Sequence, residues 1–134
     1  MESIFDVKNP LPFDGDVFER MKTCALDLLS SSEKIEYTQA IVLLSTSGRE
    51  YGKVIQNALS KDKKEEKELL ELLTAANDTA LSRVFCVWQD GAIDIPSFGF
   101  RQMLLQTDAS NNDTGIFVST ADGFSVIKLE NTMK

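Results

Sequence analysis

The chain has 134 residues, of which 43% are hydrophobic and 26% are charged, a composition typical of a folded domain. Its net charge of −7 argues against binding to nucleic-acid phosphates or to an anionic membrane. No basic region precedes an apolar stretch at the N-terminus, and the longest apolar run, residues 40–44, is far too short to span a membrane. We therefore predict one domain over residues 1–134, located in the bacterial cytoplasm.

The first part of the chain has helical periodicity. A first helix is predicted to start at Asp14 or Asp16, because apolar residues follow at a spacing of three or four. Further helices are predicted over about 33–44, 49–60 and 61–76, the second ending at Gly48. Residues 39–45 also fit a strand, and this alternative stays open. The charged run over residues 61–68 is interpreted as the solvated face of its helix.

The second part of the chain has the alternation of strands. Residues 84–88 are apolar on both faces, which is typical of a strand that is covered on both sides. A turn at Asp90 and Gly91 leads to a short strand over 92–95, and a helix is predicted to open after Pro96. A polar loop over 108–114 then precedes a hairpin of residues 115–120 and 124–129.

These elements predict an α+β fold. A helical N-terminal half, about residues 14–76, is expected to pack on a roughly four-stranded antiparallel sheet in the C-terminal half, about residues 82–130.

The absence of histidine is the strongest constraint on chemistry. It excludes serine–histidine and cysteine–histidine nucleophiles and histidine-liganded zinc. The two cysteines, Cys24 and Cys86, cannot form a four-thiolate site and are interpreted as buried small apolar residues. The seven glycines form no phosphate-binding loop, and residues 97–100 (SFGF) are interpreted as a helix start or a packing corner. We predict no catalytic residue, metal or cofactor, and hence a protein that is not an enzyme.

The distribution of acids suggests a binding surface. Between residues 84 and 127 the only base is Arg101, whereas five acids are present: Asp90, Asp94, Asp108, Asp113 and Asp122. These aspartates, with Trp88 as an aromatic anchor, are the candidate residues for binding a basic partner. The alternative is that the aspartates only form turns, as Asp90 and Asp122 do before glycine, and that Trp88 belongs to the core.

With a helical first half followed by WQDG at 88–91, DIPS at 94–97 and RQMLL at 101–105, the chain resembles the immunity proteins of bacterial toxin systems such as contact-dependent growth inhibition. The resemblance implies a small acidic inhibitor that covers the active site of a cognate basic toxin such as a nuclease. Its aspartates would replace the phosphates of the toxin's substrate.

Two other functions stay open at this point. An acidic type III secretion chaperone has a similar length and charge and would form a homodimer, although such chaperones enter the sheet after a single helix. A small enzyme that uses carboxylates is the third alternative, since acids are plentiful in the chain.

Overall fold

The computed structural model describes residues 3–33 and 35–133. In chain order its helices and strands are α1 (Gly15–Ser30), β1 (Gln39–Ser45), β2 (Glu50–Ile55), α2 (Lys64–Ala75), β3 (Leu81–Trp88), β4 (Ile93–Asp94), α3 (Phe98–Thr107), β5 (Gly115–Thr120) and β6 (Gly123–Lys128). Two short 3-10 helices cover Ala109–Asp113 and Leu129–Thr132. Among the described residues, no helix is long and apolar enough to cross a membrane.

The strands form one mixed sheet in the order β2-β1-β3-β5-β6. The pairs β1–β2, β1–β3 and β5–β6 are antiparallel, whereas β3 and β5 are parallel. Strand β4 pairs with residues 86 and 87 of β3. It lies on the same side of β3 as β5, which pairs with residues 83 and 84. A parallel pair needs a crossover connection, and the segment that contains α3 supplies it.

Helices cover both faces of this sheet. Phe18, Met21, Ala25 and Leu29 of α1 pack in a core with Val42 and other side chains from one face. On the opposite face, Leu69 and Leu73 of α2 and Phe100 and Leu104 of α3 pack in a second core. Alternate residues of β1 therefore enter different cores, and all seven of its residues are buried.

The predicted α+β class is confirmed, but the helical N-terminal half is wrong. The sheet is mixed and six-stranded and includes strands from both halves, whereas a roughly four-stranded antiparallel sheet in the C-terminal half was predicted. The helices predicted over about 33–44 and 49–60 are wrong, because β1 and β2 form a hairpin there. The alternative of a strand over 39–45 is confirmed by β1. Because β1 is covered on both faces, its apolar run lacks the polar alternation that identifies a half-buried strand. Gly48, at φ 93°, turns this hairpin and does not end a helix.

The other predicted elements are close to those observed. Helix α1 begins after Asp14, whose carboxylate accepts hydrogen bonds from the backbone N–H groups of Asp16 and Val17 at 3.0 and 3.2 Å. The elements α2, α3 and β3 and the hairpin of β5 and β6 are also confirmed. The single domain over residues 1–134 stays a prediction.

Candidate functional site

Two helix N-termini meet at the edge of the sheet where strands β2 and β3 end. Ile55 at the end of β2 pairs with Gln39, which pairs in turn with Trp88 at the end of β3, so both strands end at this edge. Helices α2 and α3 begin after β2 and β4, and their first turns are in contact there. The Ser97 hydroxyl, which caps α3, lies 3.4 Å from Oε2 of Glu66 in the first turn of α2.

Glu66 is the buried acid of this edge, with only 3% of its surface exposed. It precedes Leu69, Leu70 and Leu73 by three, four and seven positions, so helical periodicity places it on the same buried stripe. A buried carboxylate is costly unless it is paired and hydrogen-bonded. The partners of Glu66 are the Ser97 hydroxyl and the Lys63 ammonium group, the latter at 3.5 Å.

Lys63 is held between three segments. Its ammonium group donates a hydrogen bond of 3.5 Å to the carbonyl of Ala58, in the loop that follows β2. The stem of the side chain lies against the start of α3, where a Cβ on Gly99 would be 3.4 Å from Lys63 Cε. Only 19% of the side chain is exposed. This lysine is therefore a fixed cation beside Glu66, unlike the solvated lysines around it.

The environment of Glu66 suits acid–base chemistry. Burial raises the pKa of its carboxyl above the ordinary value, while the Lys63 charge and the hydrogen bond from Ser97 oppose that rise. A carboxyl with a raised pKa can both hold and release a proton closer to neutral pH than an exposed glutamate can. Acids perturbed in this way are concentrated at functional sites.

The first turn of α3 is fixed by its own hydrogen bonds. Ser97 Oγ accepts a hydrogen bond of 3.2 Å from the backbone N–H of Phe100, whose ring is fully buried. The buried Arg101 guanidinium donates to the carbonyls of Pro96 at 2.9 Å and Thr132 at 2.7 Å. It also lies 5.6 Å from the centre of the Phe98 ring, which is 54% exposed. Arg101 thus holds the turn in place and leaves Phe98 at the surface.

Two buried polar atoms near this edge have no hydrogen-bond partner among residues 3–33 and 35–133. They are Thr38 Oγ1 and Gln89 Oε1. The backbone joins these residues, since the N–H of Gln89 donates to the carbonyl of Thr38 at 2.9 Å. The adjacent Tyr37 carbonyl accepts from Ala58, the residue that also contacts Lys63. Buried polar groups without partners are rare in folded proteins.

The structure brings Trp88, Asp90 and Asp94 together at the end of β3. Trp88 is 6% exposed and belongs to the core, and its indole N–H donates to Asp94 at 3.0 Å. The carboxylate of Asp90 accepts from the backbone of Ala92 at 2.9 Å.

The other three predicted aspartates belong to other segments of the chain. Asp108 caps the 3-10 helix Ala109–Asp113 and accepts a 2.9 Å hydrogen bond from Thr79. Asp113 is 3.3 Å from the Lys128 ammonium group, and Asp122 is exposed in the turn between β5 and β6. A role in partner binding for any of these side chains stays a prediction.

Sequence analysis missed Glu66, Lys63 and Ser97. The run over residues 61–68 was interpreted as a solvated helix face, whereas Glu66 within it is buried. The usable signal was the spacing of Glu66 to Leu69, Leu70 and Leu73, which continues the apolar stripe by one turn.

The residues at this edge are poor metal ligands. Within the described part of the chain, no group of three or more histidine, cysteine, aspartate or glutamate residues could hold a metal ion. The two cysteines are free: Cys24 is half-buried on α1, and Cys86 is buried in β3, where the charge of Glu66 acts on its thiol. Burial raises the pKa of the Cys86 thiol well above its usual range, so it is a poor thiolate donor.

No protein-family model and no curated protein sequence matches the chain. Several solved structures match it in fold. The cytidine deaminase from Mycobacterium leprae is 19% identical over 87% of this chain and 96% of that chain, with a TM-score of 0.64. The cytidine deaminase from Mycobacterium tuberculosis is 15% identical over 86% and 92%, with a TM-score of 0.63. That from Burkholderia pseudomallei is 11% identical over 84% and 93%, with a TM-score of 0.60.

These findings correct the functional predictions. The resemblance to immunity proteins, the basic toxin partner and the alternative of a secretion chaperone are wrong, because the solved structures that match this chain are deaminases. The same finding contradicts the prediction that the protein is not an enzyme. At these identities the likeness establishes the fold alone: this chain has the fold of the cytidine deaminases.

Proposed function

We propose that the protein binds a cytidine-like nucleoside beside Glu66 and exchanges protons with its pyrimidine ring without a zinc ion. The observation that carries the proposal is a buried, perturbed carboxyl at the meeting point of two helix N-termini. The fold likeness to three cytidine deaminases supports the class of ligand.

A sequence correspondence supports Glu66 as the reacting group. Zinc deaminases carry H-x-E and P-C-x-x-C, in which the glutamate is the general acid and base and the histidine and cysteines hold zinc. In this chain, residues 64–66 read KEE and residues 96–100 read PSFGF. The glutamate and the proline are present at the matching spacing. The three ligand positions hold Lys64, Ser97 and Phe100.

This set of donors does not fit zinc. An ammonium group has no lone pair to donate, a phenyl ring offers no ligand atom, and a serine hydroxyl is a weak ligand beside the thiolates and imidazoles that zinc prefers. We therefore assign no step to a metal-bound water. The chemistry that the residues support is proton transfer by Glu66.

Glu66 can act both as the proton donor and as the proton acceptor. When protonated it donates to a ring nitrogen, and when ionised it accepts a hydrogen bond from an exocyclic amino group. Lys63 keeps a positive charge 3.5 Å away, which favours return of the proton from Glu66 to the ring.

Calorimetric titration with cytidine tests the proposal, with a chelator present throughout. We expect saturable binding to the unmodified protein, and at least a tenfold loss of affinity for Glu66→Gln. Glu65→Gln is the matched control on the same helical turn and should bind as the unmodified protein does.

In hydrolytic turnover, water adds to the ring carbon that bears the amino group and the amino group leaves as ammonia, so the same samples report on turnover through the release of ammonia. Any release should persist in chelator and disappear with Glu66→Gln. The proposal is overturned if cytidine does not bind, or if it binds only after zinc is added.

A further inference from the structure

We infer that the Lys63 ammonium takes the electrostatic place of a metal ion beside Glu66, in a former zinc site whose three ligand positions are Lys64, Ser97 and Phe100. The inference rests on the proposed location of the site at Glu66, and it does not depend on the nucleoside that binds there.

The contacts at the two helix N-termini locate the three positions. Ser97 Oγ lies 3.4 Å from Glu66, and the backbone N–H of Phe100 donates to the same Oγ at 3.2 Å. Lys64 is the first residue of α2, two positions before Glu66. The scaffold therefore still brings these segments together although their side chains cannot ligate a metal.

Burial and distance identify the lysine that stabilises the Glu66 carboxylate in place of a metal ion. Lys64 is exposed, whereas Lys63 is mostly covered and lies 3.5 Å from Glu66 Oε2. Within residues 3–33 and 35–133, Lys63 is the one cation that forms an ion pair with Glu66. The Lys63 ammonium, a single positive charge fixed to the chain, thus takes the place of the positive charge that zinc supplies in the deaminases.

Replacing the residues at the three ligand positions with cysteines should restore a metal site. The test variant is Lys64→Cys with Ser97→Cys and Phe100→Cys, titrated with Co²⁺, whose absorption reports tetrahedral thiolate ligation. We expect one Co²⁺ per chain, displaced by Zn²⁺. A control with three cysteines elsewhere, Lys67→Cys with Phe98→Cys and Gln102→Cys, should give no such spectrum, and neither should the unmodified protein.

Lys63 is tested by adding Lys63→Met to the refitted chain. Removal of the ammonium group should raise Co²⁺ affinity by at least about tenfold, because a like charge no longer lies beside the metal. Unchanged or weaker affinity would contradict the role assigned to Lys63.

Loss of the buried Phe100 ring is the main threat to folding, so a second variant keeps it. Lys64→His with Ser97→Cys offers an imidazole and a thiolate beside Glu66. Circular dichroism checks that this variant is folded. It should bind Co²⁺ more weakly than the three-cysteine variant, and the binding should disappear when either replacement is reverted. A folded variant that binds no Co²⁺ overturns the inference, whatever the outcome of the cytidine titration.

Discussion

Lys63 and Glu66 form an ion pair of 3.5 Å across the first turn of α2. The pair stands at the N-terminus of that helix and in contact with the start of α3, so neither residue is a freely solvated charge. This ion pair is the part of the charged run over residues 61–68 that belongs to the candidate site.

Glu66 should give the protein a specific dependence of stability on pH. Its folded pKa is raised, so between about pH 4.3 and that value the folded chain holds a proton that the unfolded chain has released. The free energy of unfolding therefore falls as pH rises through this window. Urea unfolding at a series of pH values should show a smaller fall for Glu66→Gln than for Glu65→Gln. Equal slopes in the two variants would rule out a perturbed Glu66.

Asn111 should be a major contributor to stability. It is fully buried, and its amide side chain accepts from Leu81 N–H at 2.8 Å and donates to the carbonyls of Thr79 and Leu104 at 3.1 and 2.9 Å. Asn111→Ala leaves these backbone groups unsatisfied and should cost about 2–4 kcal/mol. The exposed neighbour Asn112 is the control, and Asn112→Ala should change the unfolding free energy by less than about 0.5 kcal/mol.

Gly115 marks a close contact between β5 and its neighbours. A Cβ at this position would lie 2.5 Å from Val126 Cγ1 and 2.9 Å from Arg83 Nη1. Gly115→Ala should therefore destabilise the protein by about 1–3 kcal/mol through overpacking. Gly15 has nothing within 4 Å of a built Cβ and starts α1, so Gly15→Ala should be neutral or stabilising. Thermal unfolding compares the two, and equal effects would contradict the packing described here.

Thr38 and Thr114 are both buried, yet their hydroxyls differ. Thr114 Oγ1 donates to the carbonyl of Leu81 at 2.9 Å, whereas Thr38 Oγ1 has no partner within the described residues. Thr38→Val should raise the unfolding free energy by about 1 kcal/mol, and Thr114→Val should lower it by about 1–2 kcal/mol. Denaturant titration measures both. A loss of stability in Thr38→Val would mean that its hydroxyl is satisfied in the folded protein.

The sequence identifies the helices and strands of the second half better than those of the first. Residues 115–120 and 124–129 alternate around a glycine turn, and β5 and β6 lie there. Residues 40–44 are apolar throughout because β1 is covered on both faces, so periodicity alone could not separate strand from helix.

The site was harder to find than the fold, because its defining acid is enclosed in a run of surface charges. The spacing of Glu66 to three leucines predicts its burial, but the approach of Ser97 depends on how α2 and α3 meet. That contact joins positions 31 residues apart, which local patterns cannot predict.

The most direct test of the account is a crystal structure of the protein grown with cytidine in the presence of a chelator. It should place the pyrimidine ring within hydrogen-bond distance of the Glu66 carboxyl, near the first turns of α2 and α3, with no metal ion bound. A ring bound at any other surface, or a metal ion coordinated beside Glu66, would contradict it.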